Sequence, residues 1–524
     1  MSQMLKSSGA MAAATLTSRV LGLFREVVYA RFMGAEAVAS AFTLAFQAPN
    51  LFRRLLGEGA LTAAFIPIFK QKEITQGEAE MWRSANAVIS GLVAAALAIT
   101  VFVVVVITIV LAACDPILDD ETKLMLQLLR LMFPYMLLVC LAAVFIGMAN
   151  ARGHFFVPAL GAVALNVVMI ASALFLAPRM GVRLDQQIFG LATGVLVAGL
   201  IQAFFQLPSL TREGYRYEWV SPWRDPTVRE VVQKMLPGSI GVAAFQINVL
   251  LTSWFAFWLG KDIVAKFNYA VRLMELPQGM FGISLATYML PALSGLAAAK
   301  KYPEFRQTLS QGLSYLSFAN LLAAAIALGL AEPIVRLIFE RGKFTPEATI
   351  RTAHALMCLA PGLLMFSMNN ILARAFYALN DIQTPMKISV FCLTLNLLLA
   401  FGLVQWYKEA GLGAANTLSA CVNTGLLTYA LRKKLSRLGL TDVRNTMFIL
   451  VPNALLAAGV AWICSRYWQT HFGYTTLALK TGAVFVPGGI ATFVYWLVAL
   501  ASGVPAAREI LALLSRKSPS ATAS

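Results

Sequence analysis

Apolar residues run along this chain in long blocks, each ended by a short polar stretch. Fourteen blocks reach the roughly 20 residues that a helix needs to cross a bilayer. They cover 8–33, 37–57, 84–113, 123–150, 156–178, 187–208, 231–259, 265–296, 305–330, 348–378, 385–406, 411–431, 445–468 and 478–502. The longest polar loop, TREGYRYEWVSPWRDPTVRE, runs from Thr211 to Glu230. No loop is large enough to be a soluble catalytic domain. The pattern predicts an all-α polytopic membrane protein of about fourteen transmembrane helices. Its expected organisation is a first lobe at 1–225 (spans one to six), a second at 226–440 (spans seven to twelve), and two further spans with a tail at 441–524.

Composition agrees. Of 524 residues, 59% are hydrophobic and 13% are charged, against about 25% charged in an ordinary soluble domain. Mean hydropathy is +0.72. These values exclude a disordered chain and a water-soluble enzyme. The N-terminal block is not expected to be a signal peptide, because Arg19, Arg25 and Glu26 interrupt it and no cleavage site follows.

Net charge is +17, from 42 basic and 25 acidic residues. Most of the basic residues fall in alternate loops, among them Arg53, Arg54, Lys70, Lys72 and Arg83, then Arg212, Arg216, Arg224, Arg229 and Lys234, then Arg432, Lys433, Lys434 and Arg437. Excess Lys and Arg mark the cytoplasmic side, so both termini are placed in the cytoplasm. The acidic stretch CDPILDDE (Cys114 to Glu121) then lies outside; the basic loop from Glu332 to Lys343, also outside, runs against the bias. No basic tail or aromatic-plus-basic platform suggests nucleic acid. Cys114, Cys140, Cys358, Cys392, Cys421 and Cys464 form no CxxC pair, and His154, His354 and His471 lie far apart. No metal or other cofactor is expected. The chain has no GxxxxGK[ST], HExxH or GxSxG motif, so neither ATP-driven pumping nor hydrolytic catalysis is indicated. A transporter, not an enzyme, is the reading.

Two blocks repeat a theme. AFTLAFQAPNLFRRLLGEGALTAAFIPIF and AKFNYAVRLMELPQGMFGISLATYMLPAL each pass through Arg, Glu and Gly to a terminal proline, Pro67 or Pro291, six spans apart. Parallel repeats of this kind build alternating-access transporters.

Charges inside spans carry the candidate chemistry. Each costs about 2.5–3.5 kcal/mol at mid-membrane on the insertion scale and marks a site by default. Arg19 and Glu26 are two turns apart on one face, with Arg25 about 100° round; Arg272 and Glu275 share a face in the eighth block. Arg130 and Arg374 lie nearer span ends and read as snorkelling anchors. Arg25 and Arg272 are either a buried ionic lock or a cationic patch in a central cavity. Arginine forks bind phosphate oxygens bidentately, so the second reading implies an anionic, pyrophosphate-like substrate, with Glu26 and Glu275 orienting the forks. Pro49 is expected to kink its helix and Gly57 and Gly59 to end it. That places Arg53, Arg54 and Glu58 at a cytoplasmic mouth, as a gate.

These residues resemble the lipid II flippase family MurJ (MviN), of the multidrug/oligosaccharidyl-lipid/polysaccharide exporter superfamily. The resemblance rests on SRVLGLFREVVYARFMGA (18–35), APNLFRRLLGEGALTAAFIPIF (48–69), YAVRLMELPQGMFGISLATYMLPALS (269–294), GKFTPEATIRTAHAL (342–356) and ILARAFYALNDIQTPMKI (371–388). It implies two six-helix lobes around a V-shaped cavity, plus two helices forming a groove for a polyprenyl tail. The implied cargo is undecaprenyl-pyrophosphoryl disaccharide-pentapeptide, moved across the bacterial inner membrane for peptidoglycan synthesis. Implied partners are lipid II, membrane lipids and the cell-wall synthesis machinery. By motif, Ser18, Arg19, Arg25 and Arg272 match cavity residues, and Arg53 and Glu58 the gate. The chain departs from the family at Ser40 and Val271, where an Asp is usual, at Gln47, where a basic residue is usual, and near Thr252, where some members place a sodium-ligating Asp. These departures remove negative charge and speak against sodium coupling. They leave open a flippase for another polyprenyl-linked saccharide, an O-antigen or exopolysaccharide unit. A cation-coupled drug exporter would need cavity acids, and a glycosyltransferase a large acidic loop.

Overall fold

The computed structural model describes residues 2–53, 60–154, 156–435 and 441–509. Among them every regular element is a helix. In chain order these are α1 (Ser2–Met33), α2 (Ala37–Phe52), α3 (Ala60–Gln76), α4 (Glu78–Ala113), α5 (Asp120–Met132), α6 (Tyr135–Ala151), α7 (Phe156–Ala171), α8 (Leu184–Phe204), α9 (Leu207–Arg212) and α10 (Pro226–Leu259). They continue as α11 (Ile263–Pro277), α12 (Ser284–Ala298), α13 (Tyr302–Gly329), α14 (Ala331–Ile338), α15 (Pro346–Leu359), α16 (Gly362–Ala378), α17 (Gln383–Leu435), α18 (Thr441–His471) and α19 (Leu477–Ala501).

Eight helical stretches among the described residues are long and apolar enough to cross a membrane; α5 with α6 (bent 41°) and α15 with α16 (bent 44°) also qualify as broken spans. Prolines explain both bends: Pro134 and Pro361 stand at the breaks and have no N–H to continue the ladder. The long α17 is two helices that meet at Lys408, whose φ of 48° and ψ of −127° are not helical. A π turn, Gln278–Ile283, joins α11 to α12 directly after Pro277. A second, Ser172–Leu176, extends α7. Many large apolar side chains face outward, such as Phe102 (68% exposed) on α4 and Phe493 on α19. Lipid covers such faces at no cost, because every backbone polar group is already satisfied inside the helix.

Packing divides the chain into two compact units, Met1–Ala265 with Arg341–Thr345, and Lys266–Glu340 with Pro346–Ser524. In the first, α1 packs along α7, and α8 against α6 and α7. α10 packs against α2, α3 and α4. Its core includes Leu61, Phe65, Ile68 and Phe69 from α3, together with Met81, Phe133 and Met148. α3 itself lies where the sequence places an inner loop; its apolar half is buried and its KQKE end is polar. The segment 341–345 also belongs to this unit. The Lys343 N–H donates to the Arg31 carbonyl (3.1 Å). Gly34 (φ 66°) and Gly342 (φ 61°) allow the approach, because a Cβ on Gly34 would stand 2.5 Å from the Lys343 carbonyl oxygen. In the second unit, α13 packs on α18 and α16, and α18 on α19. The Tyr495 hydroxyl donates to the Phe318 carbonyl (3.0 Å), and Asn453 donates to the Tyr495 carbonyl (2.9 Å), both buried.

Candidate functional site

In the first unit, α1 carries Arg25 into its packed face against α7. The side chain is only 17% exposed. Its Nη2 meets Glu26 Oε1 at 2.6 Å, and its Nη1 donates to Asn166 Oδ1 at 3.0 Å. The guanidinium carbon lies 5.6 Å from the Tyr29 ring centre, within cation–π range. Asn166, on α7, is itself anchored: its Nδ2 donates to the Ala162 carbonyl (3.1 Å) and to the Ser18 carbonyl (3.2 Å). One buried amide thus ties the Ser18 backbone to the Arg25 fork. Ser18 is half-buried and Arg19 exposed. The sequence face shared by Arg19 and Glu26 is real, yet the Glu26 carboxylate engages Arg25, whose long side chain closes the 100° between neighbours. Asn166 was not singled out from the sequence. Its signal was an amide within the apolar run GAVALNVVMIA, where a buried polar group must find partners.

In the second unit, Arg272 Nη1 and Glu275 Oε2 pair at 2.8 Å, one turn apart on α11, with side chains 36% and 47% exposed. The pair lies just before Pro277 and the π turn, and such turns cluster at functional sites. Arg374, read from sequence as a snorkelling anchor, donates Nη1 to the Ile283 carbonyl at 3.4 Å, at the end of that turn.

Of the gate residues, Arg53 closes α2; its N–H donates to the Asn50 and Pro49 carbonyls, and its side chain is half-buried. Arg54 and Glu58 lie outside the described residues. Pro49 is buried within α2. At the departures, Ser40 is fully buried and its Oγ accepts the Ala265 N–H at 2.9 Å. Thr252 is buried, and Gln47 and Val271 are half-buried. Among the described residues, no group of His, Cys, Asp and Glu could hold a metal ion.

A second ionic cluster lies at helix ends of the first unit. Arg152, after α6, meets Glu213 and Glu78 at 2.9 Å each and also pairs with Glu73. His154 Nε2 lies 2.8 Å from Glu213, and Lys70 2.6 Å from Glu73. The hydrogen bonds from His154 and then Arg152 hold the Glu213 carboxyl below its usual range. The hydrogen bond from Lys70, reinforced by Arg152, does the same to Glu73. No local spacing could reveal that Arg152 meets Glu213 and Glu73, 61 and 79 residues away.

The family model described as "Lipid II flippase MurJ" matches residues 29–481. A Burkholderia cenocepacia protein named "Lipid II flippase MurJ" is 35% identical over 431 residues, 80% of this chain and 82% of that protein. A Vibrio cholerae protein named "Probable lipid II flippase MurJ" is 33% identical over 508 residues, 91% of this chain and 95% of its own. Among solved structures, "Lipid II flippase MurJ, inward closed conformation" superposes with a TM-score of 0.76 at 20% identity, covering 96% of this chain and 99% of that one. An inward-facing multidrug resistance transporter of the MATE family matches with a TM-score of 0.65 at 14% identity over 82% of this chain and 99% of its own. At these identities the two structural matches speak to the fold.

Proposed function

We propose, starting from the fact that this chain belongs to the lipid II flippase MurJ family, that it moves lipid II from the cytoplasmic to the periplasmic leaflet of the bacterial inner membrane. The chain is a membrane protein with at least eight apolar helices. The reading extends this to fourteen spans with both termini in the cytoplasm. Transport proceeds by alternating access and makes or breaks no bond in the cargo. Arg19, Arg25 and Arg272 supply donors to the pyrophosphate, beside Ser18. Glu26 and Glu275 hold the forks in plane and lower their charge when no cargo is bound. Arg53, Arg54 and Glu58 serve as the cytoplasmic gate. Lipid II and the surrounding lipids are the partners, with the cell-wall synthesis machinery as consumer of the product.

The supporting observation is Arg25. A guanidinium buried beside one carboxylate and one amide keeps its charge and has its plane set in advance. A flat, fixed fork is suited to a diphosphate's oxygens. A drug exporter for cations would put the opposite charge there.

The test is rescue of bacteria depleted of their own lipid II flippase. Wild type should restore lipid II exposure on the periplasmic leaflet. Arg272→Ala should lower it about ten-fold or more at equal membrane abundance, because a hydrogen bond to a charged group contributes about 1.5–3 kcal/mol. Full activity in that variant defeats the cavity assignment. No exposure with well-expressed wild type moves the cargo to another polyprenyl-linked saccharide.

A further inference from the structure

The second unit contains a cavity of about 160 Å³ between the end of α13, α14, α15 and the last turns of α18. That is far more room than one water requires. No residue of the proposed transport site lines it. Its charges do not balance. The lining carboxylate, Glu332, is engaged by Arg336 at 2.8 Å. Arg336 also meets Glu340 at 3.3 Å, and Lys480 meets Glu340 at 3.4 Å. That network is closed, two cations against two acids. Arg466 stands apart from it. Its contacts are Gln469 Oε1 at 3.4 Å and the Trp462 ring at 5.6 Å. No carboxylate pairs with it among the described residues. The other polar groups on the wall are His354, Gln469 and Tyr474, the last hydrogen-bonded to buried Ser465. The cavity therefore offers one surplus guanidinium with the hydrogen-bonding side chains of His354, Gln469 and Tyr474 around it, the chemistry of an oxyanion site.

Its surroundings point to where the oxyanion comes from. α18 is long and apolar enough to span the bilayer, and Arg466 lies near its end. Trp462 (52% exposed), Ile463 and Tyr467 face outward on the same stretch. Trp and Tyr collect at the membrane–water interface, the depth of lipid phosphates. Arg466 is itself exposed, at the open side of a cavity lined from four elements, where a headgroup can reach it from the bilayer surface.

We propose that this cavity binds the headgroup of an anionic membrane phospholipid, its phosphate on Arg466 and its acyl chains along Trp462 and Ile463. The site gives the bilayer's composition a direct hold on α13, α14 and α18.

The experiment is native mass spectrometry of the purified full-length protein in detergent, with dioleoyl phosphatidylglycerol, dioleoyl phosphatidylcholine, undecaprenyl phosphate or inorganic phosphate added. Wild type should retain phosphatidylglycerol over phosphatidylcholine. Arg466→Gln should retain about ten-fold less, from the loss of a charged hydrogen bond. Gln469→Glu, which leaves the arginine in place and gives it an internal carboxylate, should lose the lipid equally. Arg183→Gln, at an arginine 77% exposed elsewhere, should retain it as wild type does. Equal retention by Arg466→Gln and wild type overturns the proposal, as does loss in Arg466→Gln without loss in Gln469→Glu. Displacement of the lipid by inorganic phosphate reassigns the site to a free anion. Preferential retention of undecaprenyl phosphate assigns it to the polyprenyl carrier. Either result overturns the phospholipid assignment.

Discussion

Three partners hold Arg25, and each constrains a different property. Glu26 sets its charge balance, Asn166 sets its plane, and the Tyr29 face limits its swing. Replacing Asn166 by Leu should keep the charge and free the plane. Lipid II exposure should fall about ten-fold or more, since small misplacements near a reacting or binding group are costly. The midpoint of thermal unfolding in detergent should shift only by what a lost buried hydrogen-bond partner costs, about 1–3 kcal/mol. Transport that survives Asn166→Leu would show that Arg25 needs no such support. Arg25→Ala is a poorer probe. It removes the cation 2.6 Å from Glu26, which is 5% exposed, and breaking a buried pair costs about 3–5 kcal/mol. Arg272 is half-exposed, and its pair with Glu275 contributes about 0–1 kcal/mol, so its replacement reports on transport and not on folding. Arg25 and Arg272 were legible in the sequence because a charge in an apolar run demands a reason. Asn166 was not. An uncharged amide has little signal, and its role exists only once α1 and α7 pack, across 141 residues of chain.

Strain and support meet where α17 breaks. Lys408 holds a positive φ, which a residue with a Cβ rarely adopts. Beside it, Arg351 clasps Glu409 through Nε and Nη2 at 2.7 and 2.8 Å, and that carboxylate is 5% exposed. The pair holds the turn against the strain. Lys408→Gly should raise unfolding stability by about 1 kcal/mol, and Glu409→Gln should lower it by about 3 kcal/mol. Both are read from unfolding midpoints of the detergent-solubilised protein, and a Lys408→Gly variant less stable than wild type would contradict the strain. The break itself was legible, since WYKEAG divides two apolar blocks at 385–406 and 411–431. The bends at Pro134 and Pro361 lie inside blocks read as single spans. So does the π turn after Pro277, because hydropathy continues unbroken across a change of helix type. α3 and α14 were missed for the opposite reason. Each is half polar, and only packing shows which face is buried.

The unfolded chain carries carboxyls that titrate near 4, and the folded molecule holds two of them at about 2. Burial would raise Asp119, but hydrogen bonds from Lys261 and from Thr122 outweigh it. At Asp381 the hydrogen bond from Lys434 leads, with Thr384 adding to it against a smaller burial effect. Both folded values are depressed, so their stabilisation is complete above about pH 4 and is lost as pH falls towards 2. Acid unfolding profiles should steepen in that window for wild type and flatten in Asp119→Asn with Asp381→Asn. A profile unchanged by both substitutions would dismiss these two groups as its source. The segment 341–345 has a consequence of another kind. It is covalently part of the later sequence, yet its Lys343 N–H is bonded to Arg31 in the first compact unit. A gene divided after codon 265 would therefore encode a first fragment lacking one of its own building blocks. Such split halves should accumulate in the membrane only when made together, and each alone should be degraded.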